Sequence, residues 1–152
     1  MTHDDASDLG LAVPTVLFVC VSNAGKSQMA AALLRHLARE GQVDVEVHSA
    51  GTRPGPALNA GSAAAVAEVG ADMSGGHPKA VDPGLLARAD RVVVLGTSAR
   101  LDPVPGMRAP GIEVWATDEP STRGIDGPDR MRLIRDDIAA RCRRLLDELA
   151  RG

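Results

Sequence analysis

The chain has 152 residues and almost no aromatic side chains: one Trp, one Phe and no Tyr. Hydrophobic residues still make up 44% of the sequence, a proportion typical of a globular protein. We therefore expect a core of aliphatic side chains and alanine. Phe18 and Trp115 lie in apolar runs that resemble buried strands, so both are predicted to be core residues.

Cysteine is also scarce. The two cysteines, Cys20 and Cys142, are far apart in the sequence. This spacing excludes a disulfide framework and does not match any metal-ligand pattern, so no metal site is predicted. Two unpaired thiols are typical of a reducing compartment, which favours a cytoplasmic protein.

The sequence lacks a strong charge of one sign and a long apolar run. A net charge of -3 and a pI near 5.8 give no basic field for nucleic acid. No apolar run approaches the length of a membrane span or of a signal peptide. Neither a nucleic acid nor a membrane is therefore expected as a partner. We predict a flexible leader over residues 1–13 and a single domain over residues 14–152.

Apolar, β-branched runs alternate with helical patterns along this domain. This alternation predicts an α/β fold: a four-stranded parallel sheet with helices on both faces. The strands are predicted at 16–20, 43–48, 91–95 and 112–115, and the helices at 26–40, 59–69, 83–89 and 129–150.

One stretch of this pattern carries the chemistry. The run that begins at Val16 ends at Cys20, a turn-forming loop follows, and a helix begins at Lys26. Free N–H groups at a helix start bind anions and stabilise a thiolate, so Cys20 is predicted to be a nucleophile in an oxyanion pocket. The predicted oxyanion-binding residues of the loop are Val21, Ser22, Asn23, Ala24 and Gly25.

Two motifs overlap in this loop. Gly25-Lys26-Ser27 has the ending of a nucleotide-binding loop, but the first glycine of that motif would fall on Cys20. The third strand also lacks a terminal Asp for magnesium, so nucleotide binding is the weaker hypothesis. The alternative is a catalytic loop in which Cys20 attacks an oxyanion, Lys26 holds it, and the Ser27 hydroxyl bonds the thiolate.

At this point the sequence resembles a known family. Residues 19–30 resemble the low-molecular-weight protein tyrosine phosphatases and, among them, the arsenate reductases. Residues 48–52, 78–79 and 118–120 also fit, and the resemblance extends from Val16 to about Leu149. Together these segments resemble the actinobacterial arsenate–mycothiol transferases. The resemblance implies a three-layer sandwich fold and an arsenate reductase that serves arsenate detoxification.

Lys26 stands where the phosphatases of this family have arginine. Arginine grips two oxyanion oxygens with a planar fork, whereas lysine is a compact point charge. Poor phosphatase activity is therefore predicted. The shortage of aromatic residues agrees, because a phosphotyrosine ring needs aromatic walls and a small inorganic oxyanion does not.

The cysteine count separates the reductases from one another. Thioredoxin-linked members of the family use two further cysteines on a mobile segment, and the corresponding residues 97–111 contain none. Cys142 falls on an apolar helical stripe and is predicted to be a buried packing thiol. The resemblance therefore implies mycothiol as a co-substrate, with no bound cofactor and a mycoredoxin-type protein acting downstream. A monomer or a weak homodimer is expected.

The reaction also needs a general acid opposite Cys20. The related folds supply it from an Asp-Pro loop, which corresponds here to Asp118-Glu119-Pro120. Alignment on the proline makes Glu119 the acid, and a shift of one residue would make it Asp118. Glu119 is our first choice. Beside the arsenate–mycothiol transferase, the sequence leaves open a phosphatase acting on phosphoesters and a non-catalytic oxyanion-binding module.

Overall fold

The computed structural model describes residues 13–151. The predicted leader, residues 1–13, lies outside this range except for its last residue. The described elements are β1 (Thr15–Cys20), α1 (Lys26–Glu40), β2 (Glu46–Gly51), α2 (Ala60–Ala67), α3 (Pro83–Arg88), β3 (Arg91–Leu95), β4 (Ile112–Trp115), a 3-10 turn (Pro120–Arg123) and α4 (Gly127–Arg151).

The four strands form one parallel sheet in the order β2-β1-β3-β4. The strand β1 is central and every one of its residues is buried, as its unbroken apolar run predicts. The predicted parallel sheet is thus confirmed. In such a sheet the carboxyl ends of all strands meet at one edge, and ligands bind there.

Side chains alternate between the two faces of the sheet. Val16 and Phe18 pack with α1, α2 and α4, whereas Leu17 and Val19 pack with α3 and the segment that precedes β4. Helices therefore lie on both faces, as predicted. The rings of Phe18 and Trp115 lie 5.6 Å apart between centroids, in the core on the face of the sheet that α1, α2 and α4 cover.

The second strand was predicted in the wrong place. It runs from Glu46 to Gly51 rather than over 43–48. The backbone N–H of Val43 donates to the Ala38 carbonyl, so this part of the alternating run closes the end of α1. Pairing then begins where Glu46 meets Thr15, the first residue of β1.

The last helix begins at Gly127, two residues before the predicted start at Asp129, and buries Ile134, Ile138, Cys142 and Leu145 along one stripe. Cys142 is 0% exposed, which confirms the predicted packing role, and burial raises the pKa of its thiol to about 12. No helix within residues 13–151 is long and apolar enough to cross a membrane.

The burial of Cys142 predicts that the two cysteines differ in reactivity. At pH 8 with iodoacetamide, we expect Cys20 to be alkylated and Cys142 to remain a thiol until the protein is unfolded. Peptide mass spectrometry before and after addition of denaturant measures this difference. Rapid labelling of Cys142 in the native protein would contradict the described packing.

Candidate active site

Cys20 lies at the base of a cavity of about 420 Å³ at the carboxyl edge of the sheet. It is 7% exposed and ends β1, directly before the loop that leads into α1. We call this space the catalytic cavity. Its walls include Cys20, Ser22, Lys26, Gly96, Thr117 and Glu119.

Two hydrogen-bond donors meet the Cys20 sulfur. The backbone N–H of Asn23 donates to Sγ at 3.3 Å, and the Ser27 hydroxyl lies 2.9 Å from it. The Asn23 amide nitrogen Nδ2 donates to Ser27 Oγ at 2.8 Å, which leaves the Ser27 proton to point at the sulfur. Both donors stabilise the thiolate form of Cys20, as a nucleophile requires.

Asn23 fixes the shape of the loop. Its φ is +54°, in the left-handed region that asparagine tolerates, and its side chain is completely buried. The carbonyl oxygen Oδ1 accepts from Gln28 Nε2 at 3.2 Å and from the backbone N–H of Lys79 at 3.1 Å. One side chain therefore joins the catalytic loop, α1 and the segment before α3.

This role of Lys79 was not predicted from the sequence. The Lys79 side chain is half-buried, and its Nζ donates to Ser49 Oγ at 3.3 Å and to Asn23 Oδ1 at 3.5 Å. Burial lowers the pKa of the Lys79 ammonium. The Pro78-Lys79 pair, which fits the family pattern, was the available signal.

The segment after β2 supports the loop from behind. The backbone N–H groups of residues 52, 53, 55 and 59 donate to the carbonyls of residues 20, 21, 22 and 24, at distances of 2.8 to 3.0 Å. This close approach requires Gly51, because a Cβ at this position would lie 2.7 Å from the Val21 carbonyl oxygen. All these loop carbonyls are therefore engaged outside the catalytic cavity.

The predicted oxyanion-binding amides divide into two groups. The N–H of Asn23 is taken by the Cys20 sulfur, and that of Ala24 by Ser22 Oγ at 3.2 Å. Within residues 13–151, the N–H groups of Val21, Ser22 and Gly25 make no hydrogen bond. These three, with the first turn of α1, are the amides that remain available to an oxyanion.

Lys26 faces the predicted acid. Its Nζ lies 3.8 Å from Glu119 Oε1, across the catalytic cavity. Arg130 of α4 holds the same carboxylate by two hydrogen bonds of 3.0 and 3.1 Å, and the Ser121 hydroxyl adds a third. The Arg130 guanidinium, foremost among these partners, lowers the pKa of Glu119 to about 2.

Asp118 lies apart from the catalytic cavity. Its carboxylate accepts two hydrogen bonds from Arg123, which lower its pKa, and its backbone N–H donates to Asp137. At neutral pH both Asp118 and Glu119 are ionised in this arrangement. Donation of a proton by Glu119 therefore requires its pair with Arg130 to loosen when an oxyanion enters, and the acid role stays a prediction.

Matched amide substitutions separate the two carboxylates. We expect Glu119→Gln to lower turnover about 100-fold, the usual contribution of a general acid, because Glu119 borders the catalytic cavity. Asp118→Asn should keep most of the activity. Steady-state kinetics of the two variants decides, and loss of turnover in Asp118→Asn alone would overturn the choice of Glu119.

The segment after β3 forms a wall that the sequence reasoning did not assign. Gly96, Thr97 and Ser98 line the catalytic cavity, and a Cβ at Gly96 would lie 3.6 Å from Lys26 Nζ. Their place directly after a buried parallel strand was the available signal. Among the described residues, no group of three or more His, Cys, Asp or Glu side chains could hold a metal ion.

The fold and this geometry define a class of protein. In this class a cysteine ends a parallel strand, and the loop that leads from it to the next helix suits an oxyanion. Residues 15–152 match the family model described as low molecular weight phosphotyrosine protein phosphatase. The chain belongs to this family.

Comparisons with individual proteins point to one branch of the family. The chain is 33% identical to a putative arsenate reductase of Halobacterium salinarum over 86% of this chain and 89% of the relative. It is 31% identical to an arsenate reductase of Bacillus licheniformis, over 88% and 95% of the two chains.

A solved structure of a thioredoxin-dependent arsenate reductase of Corynebacterium glutamicum matches with a TM-score of 0.72 and 30% identity. The match covers 95% of this chain and 67% of that one.

Proposed function

We propose that this protein is an arsenate reductase of the transferase type, which uses Cys20 to form an arsenate–mycothiol adduct. The observation that carries the proposal is the Cys20 sulfur, held by two donors at the base of a cavity that Lys26 and free loop amides line. The similarity to arsenate reductases of three organisms supports arsenate as the oxyanion.

In the first step the Cys20 thiolate attacks arsenic(V). An S–As bond forms and an As–OH group leaves as water with a proton from the acid, for which Glu119 is proposed. Lys26 and the loop amides hold the remaining oxygens. The mycothiol thiolate then attacks arsenic, the bond to Cys20 breaks, and Cys20 is regenerated as a thiolate. Arsenic stays at the +5 oxidation state throughout these two steps.

An external thiol is proposed because the chain offers no second thiol near Cys20. Cys142 is completely buried in the helical layer, and residues 97–111 contain no cysteine. Mycothiol therefore acts as a co-substrate and not as a resident cofactor. In this proposal the thiolate of a mycoredoxin-type protein then attacks the mycothiol sulfur of the adduct. A mixed disulfide of the redoxin and mycothiol forms, the As–S bond breaks with its electron pair on arsenic, and arsenite leaves, so the two sulfurs together supply the two electrons. A cytoplasmic location and a monomeric or weakly dimeric state belong to the same proposal.

A comparison of thiol donors tests the proposal. Purified protein with arsenate is supplied with mycothiol and a mycoredoxin, with glutathione and a glutaredoxin, or with thioredoxin and its reductase, and arsenite is measured. We expect turnover with the first system, at least tenfold above the others. Turnover with thioredoxin alone would refute the transferase mechanism, and no arsenite from any system would refute the arsenate reductase.

Phosphoester hydrolysis is the second candidate, because the family includes phosphatases and the loop suits any tetrahedral oxyanion. The point charge of Lys26 argues for a low rate. We expect Lys26→Arg to raise hydrolysis of a chromogenic aryl phosphate about tenfold, because the guanidinium bonds two oxygens at once. Lys26→Gln serves as the control without charge. An unchanged rate in Lys26→Arg would show that the cation does not limit phosphatase activity.

A further inference from the structure

A second cavity, of about 360 Å³, lies on the far side of the catalytic loop, between α1 and the segment that precedes α3. We call it the rear cavity, and its walls include Arg35, Ser49, Gly75 and Lys79. It shares no wall residue with the catalytic cavity. The completely buried Asn23 stands between the two and bonds to groups on both sides.

The rear cavity is lined by two cations, Arg35 and Lys79, and by one carboxylate, that of Asp72. Arg35 Nη2 donates to the Val47 carbonyl at 2.7 Å, and Lys79 Nζ donates to neutral oxygens at 3.3 Å or more. Neither cation forms an ion pair with a carboxylate within residues 13–151. The one acidic residue in the wall, Asp72, is exposed and accepts from the backbone N–H of Ser74.

A buried hydroxyl adds a donor. Ser49 is 2% exposed, and its Oγ accepts from Lys79 Nζ at 3.3 Å. In the part of the chain that the structure describes, the Ser49 proton has no acceptor of its own. A buried hydroxyl proton without an acceptor is uncommon in folded proteins. The Ser49 hydroxyl lies in the same wall as Arg35 and Lys79, so these three groups can donate to one bound acceptor.

We propose that the rear cavity is a binding site for a small tetrahedral oxyanion of the phosphate or sulfate class, separate from the catalytic cavity. Two cations and a hydroxyl donor are the groups that recognise such an ion. Burial and the Arg35 charge lower the pKa of Lys79, and a bound anion would offset both effects. The proposal does not depend on arsenate being the substrate.

Binding at the rear cavity would also reach the catalytic loop. Lys79, a wall residue of the rear cavity, donates to Asn23 Oδ1, and Asn23 in turn orients the Ser27 hydroxyl toward Cys20. Because it binds the folded protein, an anion in the rear cavity is expected to raise the thermal stability of the protein. This gain adds to the gain from an anion bound in the catalytic cavity.

The test first removes the catalytic site from the measurement. We expect iodoacetate to carboxymethylate Cys20 and to leave the buried Cys142 intact, which puts a carboxylate into the catalytic cavity, and peptide mass spectrometry checks this modification. Equilibrium dialysis with radiolabelled inorganic phosphate then counts the remaining sites at constant ionic strength. We expect one phosphate per chain, displaced by sulfate and not by chloride. No binding to the carboxymethylated protein would overturn the proposal.

Two pairs of variants locate the site. A Cβ at Gly75 meets nothing within 4 Å, so Gly75→Asp adds a charge without a steric cost, and Gly75→Asn is its neutral control. Arg35→Gln removes a cation of the wall, and Arg144→Gln removes an exposed cation of α4 outside the rear cavity. We expect Gly75→Asp and Arg35→Gln each to weaken phosphate binding about tenfold, with both controls unchanged. If all four variants bind phosphate like the unsubstituted chain, the ion sits elsewhere and the proposal fails.

Discussion

Replacing Cys20 with serine is expected to lower arsenate-dependent turnover by about 10⁴-fold or more, the usual cost of removing a nucleophile. The reason lies in the contacts at Sγ. The Asn23 N–H and the Ser27 hydroxyl stabilise a thiolate, and a serine hydroxyl stays protonated in the same place. Arsenite production with mycothiol and a mycoredoxin measures the loss.

The matched control is Cys142→Ala, which removes the other thiol. Because Cys142 only packs in the core, this variant should keep its turnover number while it loses some stability. Activity that survives Cys20→Ser and disappears in Cys142→Ala would show that Cys142, and not Cys20, is the nucleophile.

Asn23→Ala is expected to lower the free energy of unfolding by about 2–4 kcal/mol and to abolish turnover. The substitution removes an acceptor shared by Gln28 and Lys79 and a donor to Ser27, all inside the protein. It also puts alanine at a φ of +54°, which costs about 1 kcal/mol. Urea unfolding followed by circular dichroism measures the loss.

Asn23→Gly separates the backbone cost from the hydrogen bonds. Glycine adopts a positive φ without strain, so we expect it to recover about 1 kcal/mol of stability and none of the activity. Full activity in Asn23→Gly would mean that the Asn23 side chain does not prepare Cys20 for attack, and the chain of contacts from Lys79 to Cys20 would then be structural only.

The sheet could be predicted from the sequence because each strand is a short apolar run between turn residues. The second strand could not be placed correctly, since its start depends on pairing with Thr15, a partner that local alternation does not reveal. Cys20, Lys26 and Ser27 could be proposed together as site residues because they lie within eight residues of one another.

The long-range contacts of the site could not be predicted from local sequence patterns. Lys79 bonds to Asn23 across 56 residues, and its partner could not be read from neighbouring residues. Glu119 could be located from the Asp118-Glu119-Pro120 pattern. Its pairing with Arg130, which holds it ionised, depends on how α4 packs beside the loop.

The most direct test of the central claim follows arsenic itself. Equal amounts of the unsubstituted protein and of Cys20→Ser are mixed with arsenate and mycothiol, without any redoxin, and the small-molecule fraction is separated by chromatography with arsenic detection. We predict an arsenic–mycothiol adduct that accumulates only with the Cys20 protein. No adduct with that protein, or equal amounts with both, would contradict transfer of arsenic through Cys20 to an external thiol.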